Sequence, residues 1–200
     1  DDSLTIDLAM DHHKTMAHHI TVDRSDKENP IFQVNGITDD LKEAIRNFIL
    51  IVVERKLRGH LKKHNTMMIN FQYLTILQEL LKGHVKSYLD ELTDSCVAWN
   101  SLPIDRALED PNIKDLFDTY KKEFTDKGIT HNGYLRNFKE ILKNLKLIET
   151  IELITVHFKS NDRLNYKDYK NGKNVIAIGG FSLSRGLTLE GLSVSFLDRN

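Results

Sequence analysis

Near the carboxyl end of the sequence, residues 175–196 read VIAIGGFSLSRGLTLEGLSVSF. A short apolar run ends in Gly179-Gly180, and Ser182, Ser184, Arg185, Gly186, Thr188, Glu190 and Gly191 follow closely. Glycines lack Cβ, so they permit positive φ and let another group approach the backbone. Hydroxyls, free backbone amides and a guanidinium suit a phosphate, and Arg185 is the group here able to stabilise negative charge. Loops that leave the carboxyl ends of parallel strands are where α/β folds place ligands. A second reading stays open, in which the glycines only make a tight corner and Arg185 pairs with Glu190.

Other constellations are weaker. Arg55, Lys56, Arg58, Lys62, Lys63 and His64 crowd one stretch and form the best basic patch. They either favour a helix dipole and solubility or contact phosphates in a groove also lined by Arg185. Glu54 and Lys56 match a glutamate-x-lysine pair, but they fall within a helical pattern and read as a solvated helix face. His12, His13, His18 and His19 lack the spacing of a metal site and read as a surface cluster, so no metal ligand is assigned. Tyr88 and Trp99 read as core aromatics. No G-x-x-x-x-G-K-[ST] phosphate loop occurs, so the chain has no means of its own to hold ATP phosphates and magnesium.

These residues need elements to position them. Thr38 or Asp39 caps a predicted helix in which Leu41, Ala44, Ile45, Phe48 and Val52 recur at helical spacing up to Gly59. Residues 66–71 suit a buried strand. A second helix carries Leu74, Leu77, Leu80, Leu81, Val85, Tyr88, Leu89 and Leu92 on one face and is expected to end near residues 93–95. Ile113, Leu116, Phe117, Tyr120 and Phe124 give a third helix, and residues 134–147 a fourth. Strands are expected at 151–158, 174–178 and 192–197. Apolar runs separated by helices or long loops argue for a mostly parallel α/β sheet with crossovers. Residues 1–37 read as a lead-in, 38–200 as an α/β domain, and about 103–147 as a helical insertion on it.

Composition sets the bounds. The chain has 200 residues, 40% of them hydrophobic, enough to bury a core. Its 28 basic and 29 acidic side chains nearly cancel, so any nucleic-acid contact must be local. The longest apolar run, residues 48–53, is far short of the roughly 20 residues that cross a bilayer, so no membrane partner is expected. A single cysteine, Cys96, excludes an internal disulfide and suits a reducing cytoplasm. The sequence opens without methionine and stops just after a strand, and it is read as an excerpt of a longer protein.

Residues 176–196 resemble the signature of the Z-one domain family, whose pattern is an apolar strand, Gly-Gly, then Leu-Ser-Arg-Gly-Leu-Thr-Leu-Glu-Gly-Leu and another strand. The run 183–192 agrees throughout. LKEAIRNFILIVVERKLRG at 41–59, followed by HNTMMINF at 64–71, resembles the family's earlier helix and strand. The family is also reminiscent of the second RecA-like lobe of superfamily II helicases. There, residues 184–191 resemble the motif that follows a strand and contacts the nucleic-acid backbone, and residues 66–71 an earlier strand motif. The sequence departs from these patterns at Thr188, where helicases carry an aspartate, at Phe181, and at Asn70.

The resemblance implies a RecA-like second lobe, part of an ATP-dependent DNA-processing protein of bacterial restriction or defence type, helicase-like or an endonuclease. Arg185 and Gly186 would be its arginine-glycine pair, and Ser184 and Thr188 nearby hydroxyl donors. It implies DNA as a partner, and ATP and magnesium as cofactors of the parent protein, held by a preceding ATPase lobe. The alternative is a non-catalytic module that docks a partner nuclease or ATPase.

Overall fold

The computed structural model describes residues 16–72, 74–128, 137–156, 166–180 and 189–198, except the side chains of Ala17, His18 and Lys167. Its first long element, α1 (Asp39–Leu57), starts where Thr38 accepts a hydrogen bond from the Leu41 amide at 3.2 Å, satisfying one of the free donors of the first turn. The apolar run 48–53 lies in this helix and is buried on every side. One side of α1 meets the sheet and the other meets α4 (Pro111–Tyr120) and α5 (Phe138–Asn144). Over the stretch 48–53, where it is apolar all round, α1 is thus a core helix. Among the described residues no helix is long and apolar enough to cross a membrane.

Among the described residues the sheet has four parallel strands: β3 (Asn65–Asn70), β4 (Ile151–Val156), β5 (Asn174–Gly179) and β6 (Leu192–Leu197), in the order β4-β5-β3-β6. Met67, Ile69, Ile176, Ile178, Val194 and Phe196 point to one face and join α1 and α2 (Thr75–Trp99) in the main core. Val175, Ala177 and Val156 cluster on the opposite face with Met68 and Ile154. The fold is therefore an α/β sheet flanked by helices, as the alternation of strands and helices predicts.

Several boundaries differ from expectation. The second helix runs on to Trp99 because Cys96 continues its apolar stripe. The polar Ser95 is also satisfied there, accepting from Asn112 Nδ2 at 3.0 Å and donating to Asp110 Oδ2 at 3.3 Å. A short helix α3 (Ile104–Ala107) and α4 follow, with Asp110 capping α4 through the Ile113 amide at 3.0 Å. A π turn, Lys121–Thr125, then extends α4. The fourth helix starts at Phe138 because Asn137 caps it, and a 3-10 turn, Leu145–Thr150, leads into β4.

The residues read as a lead-in include a hairpin, β1 (Ile20–Asp23) and β2 (Ile31–Val34), paired antiparallel and packed on α2. Met16 and Val34 join the same core as the sheet, as do Ile113, Leu116, Ile141 and Leu142 of the 103–147 region.

Candidate functional site

In parallel α/β sheets the strand order sets the edge at which a ligand is generally held. β3 passes the chain through α2 toward β4, past β5, whereas β5 passes it the opposite way toward β6, past β3. Neighbouring strands whose connections lead in opposite directions define a topological switch point, and α/β sheets hold ligands outside the carboxyl ends of such a pair. Here the pair is β3 and β5. The Phe71 amide donates to the Gly179 carbonyl at 2.8 Å and the Asp198 amide to the Asn70 carbonyl at 3.0 Å, so the carboxyl ends of three strands are tied together. Gly179 and Gly180 are buried at this edge.

Two polar groups there have acceptor capacity to spare. Gln78, in the first turn of α2, donates to the Gln72 carbonyl at 2.7 Å, while its Oε1 is buried without a hydrogen-bond partner among the described residues. Asp198 Oδ1 accepts from the Met16 amide at 2.9 Å, and its Oδ2 is likewise buried with no partner among the described residues. Burial holds the Asp198 carboxyl above its ordinary range, and the Met16 hydrogen bond only partly opposes this. The sequence reading missed both residues. The available signal for Asp198 was its place directly after a strand that ends at the same edge as Gly179.

The far end of the glycine-rich segment lies elsewhere. Glu190 and Gly191 sit at the amino end of β6, next to the start of β3. Because β5 and β6 are parallel, Gly179 and Glu190 are separated by about the length of a strand, roughly 20 Å at about 3.3 Å per residue. Gly191 has φ +69°, and a Cβ on it would fall on the His64 carbonyl oxygen. The Thr66 amide donates to the Gly191 carbonyl at 2.9 Å, and the Thr66 hydroxyl donates to the Glu190 carbonyl at 2.7 Å. Tyr166 OH meets the same hydroxyl at 2.8 Å and packs edge-on against His64. The Glu190 carboxylate faces His64 Nε2 at 3.7 Å. Ser182, Ser184, Arg185, Gly186 and Thr188 lie outside the described residues.

The basic patch divides by function. Arg55 turns inward, donating to the His64 carbonyl at 3.2 Å and to Asn65 Oδ1 at 2.9 Å. Arg58 Nε pairs with Glu54 at 2.9 Å, and Glu54 is buried rather than on a solvated face, because Arg58 supplies its counter-charge one turn on. Lys56, Lys62 and Lys63 stay exposed. Tyr88 is core, as read, with its hydroxyl accepting from Arg46 Nη1 at 2.9 Å, and Trp99 packs against the same core. His19 Nδ1 lies 3.1 Å from the Asn35 carbonyl oxygen, while His12 and His13 lie outside the described residues. Among the described residues, no three His, Cys, Asp or Glu side chains converge to hold a metal ion.

A parallel sheet flanked by helices, with Gly179 and Gly180 buried at the carboxyl end of β5, defines an α/β domain. The chain belongs to the Z1 domain family, whose model matches residues 40–200, from α1 through β6. No curated protein and no solved structure is detectably similar to it.

Proposed function

We propose that this chain is the second, RecA-like lobe of an ATP-dependent DNA-processing protein, helicase-like or an endonuclease, of the bacterial restriction or defence type. The observation that supports this reading is the pairing of β3 with β5. β3, which carries residues 66–71 that resemble one helicase motif, and β5, the strand that precedes the other helicase-like run at 184–191, are neighbours, parallel and in continuous register from Asn65 with Asn174 to Asn70 with Gly179. A lobe that couples nucleotide to nucleic acid needs its motif strands side by side, so that their carboxyl ends address one crevice.

In this proposal the segment after Gly179 and Gly180 grips backbone phosphate. Ser182, Ser184 and Thr188 donate hydroxyl hydrogen bonds, Gly186 lets backbone amides approach, and Arg185 stabilises charge at the interface with a preceding ATPase lobe. Glu190 and Gly191 anchor the end of the segment through His64 and Thr66. The preceding lobe supplies the ATP phosphate loop and the magnesium ligands, since this sequence carries no G-x-x-x-x-G-K-[ST] loop. Hydrolysis of the bound nucleotide supplies free energy; this chain's part is to bind and orient.

DNA-stimulated ATP hydrolysis by the complete parent protein tests the reading, comparing native protein with Arg185→Ala at matched folding. Loss of stimulation is expected. Unchanged stimulation would favour the docking module instead, a reading that the structural duty of Gly191 also supports.

A further inference from the structure

The exposed lysines of the basic patch do not face the Gly179–Gly180 edge. Lys56, in the last turn of α1, and Lys63, in the loop after it, line a cleft of about 310 Å³ at the amino end of the sheet. The opposite wall is the turn before β5, with Tyr169, Asn171 and Lys173. Lys173 pairs with Glu152 at 2.8 Å and lies 4.0 Å from the centre of the Tyr169 ring. Among the described residues Glu152 is the one carboxylate lining the cleft, and it is already engaged by Lys173. Among the described residues neither Lys56 nor Lys63 has a carboxylate within ion-pair distance.

The walls are held in place. Gly172 has φ +80°, and a Cβ on it would lie 2.6 Å from the Lys63 carbonyl oxygen, so the two backbones touch. The Asn65 amide donates to the Lys173 carbonyl at 2.8 Å. Asn65 Nδ2 donates to Asn174 Oδ1 at 2.7 Å, and Asn174 Nδ2 to the Thr150 hydroxyl at 2.8 Å. Two ammonium groups that have no carboxylate partner among the described residues are therefore presented on a tied-down rim, together with the exposed side chains of Leu61 and Tyr169.

We infer that this cleft is a phosphate-binding site that takes a backbone phosphate of a nucleic-acid strand, with Lys56 and Lys63 as its charges. Ammonium groups bind phosphate as point charges and need no fork geometry, and the aromatic and aliphatic rim suits the sugar-base side of a strand. The choice of nucleic acid as the source of the phosphate rests on the function proposed above. The cleft is a second contact, a strand length away from the Gly179–Gly180 edge, so a strand touching both would run along the sheet.

The test is fluorescence anisotropy of a labelled single-stranded DNA with the complete protein across a salt series, with inorganic pyrophosphate as a separate ligand. Lys56→Gln/Lys63→Gln is compared with native protein and with Lys62→Gln, an exposed lysine outside the cleft lining, after equal melting temperatures are shown. The double variant should lose about tenfold or more in affinity at low salt, and its log–log salt slope should become shallower by about 1.4. Lys62→Gln should change the slope by less than half of that. Equal DNA and pyrophosphate binding by the double variant and native protein overturns the site. Pyrophosphate binding lost in the double variant while DNA binding is equal overturns the backbone assignment and makes the cleft a site for a free phosphate. If native protein binds no DNA, the nucleic-acid reading itself fails, and the pyrophosphate arm alone decides whether the cleft binds phosphate.

Discussion

The carbonyl oxygen of His64 occupies the position that a side chain on Gly191 would need. Gly191 also has φ +69°, a conformation that costs an L side chain about 1–2 kcal/mol before any clash. Gly191→Ala is therefore expected to lower the melting temperature by about 5 °C or more, since about 1 kcal/mol corresponds to about 2–4 °C for a chain of this size. Thermal denaturation followed by circular dichroism checks this, and an unchanged midpoint would refute the close approach.

Asp198 gives a pH dependence. Its folded-state pKa is raised above 3.8 by burial, so the folded chain holds the proton more tightly than the unfolded chain does. The stability from this group is fully present below 3.8 and is lost as pH rises through the raised folded value. Asp198→Asn keeps an acceptor for the Met16 amide and carries no charge. It should melt above native protein at pH 7, and the difference should vanish as the pH falls to about 4. A difference that grows on acidification has the wrong sign for this account.

Asn47 is fully buried in α1, and among the described residues neither of its amide atoms has a hydrogen-bond partner. Burying an unsatisfied amide is costly, and an apolar group of the same branching removes that cost. Asn47→Leu should raise stability by about 1 kcal/mol, read from urea denaturation at constant m-value. A loss of stability would show that the amide has a partner to lose.

Cys96 is 2% exposed, and burial pushes its thiol up to about 12, with Asp110 adding to the shift. The thiolate is the reactive form, so at pH 8 the folded protein should react with a disulfide reagent ~100-fold or more slowly than the urea-unfolded protein. Stopped reaction traces with and without urea measure the ratio; similar rates would place the thiol at the surface.

Thr38→Ala removes the cap of the central helix. Loss of its bond to the Leu41 amide should cost about 1 kcal/mol. Thr38→Ser should recover most of this, and equal loss in both variants would point to methyl packing instead of the cap.

The elements whose identity depends on neighbours in sequence were legible. Helix α1 could be placed from Thr38 and the spacing of Leu41, Ala44, Ile45, Phe48 and Val52, because a 3.6-residue period writes one buried face into the chain. Strands β3, β5 and β6 were legible as short apolar runs, and the parallel sheet followed from their separation. The family, too, was carried by local runs at 41–59, 64–71 and 183–192. Boundaries failed where a distant group satisfied a polar residue, as Asp110 and Asn112 do for Ser95, so that the helix could continue.

Only the tertiary structure decided how those pieces meet. The order β4-β5-β3-β6 places β3 beside two strands that come more than a hundred residues later, and no local period encodes that. It is this order that sets Gly179 and Glu190 at opposite ends of the sheet. It also turns Arg55 inward and brings Lys173, invisible as a site residue in a polar stretch, across from Lys63. A sequence determines which residues want burial or a turn, through side-chain chemistry and backbone geometry. Which distant residues share an edge is set by sheet pairing and by packing against a common helical layer.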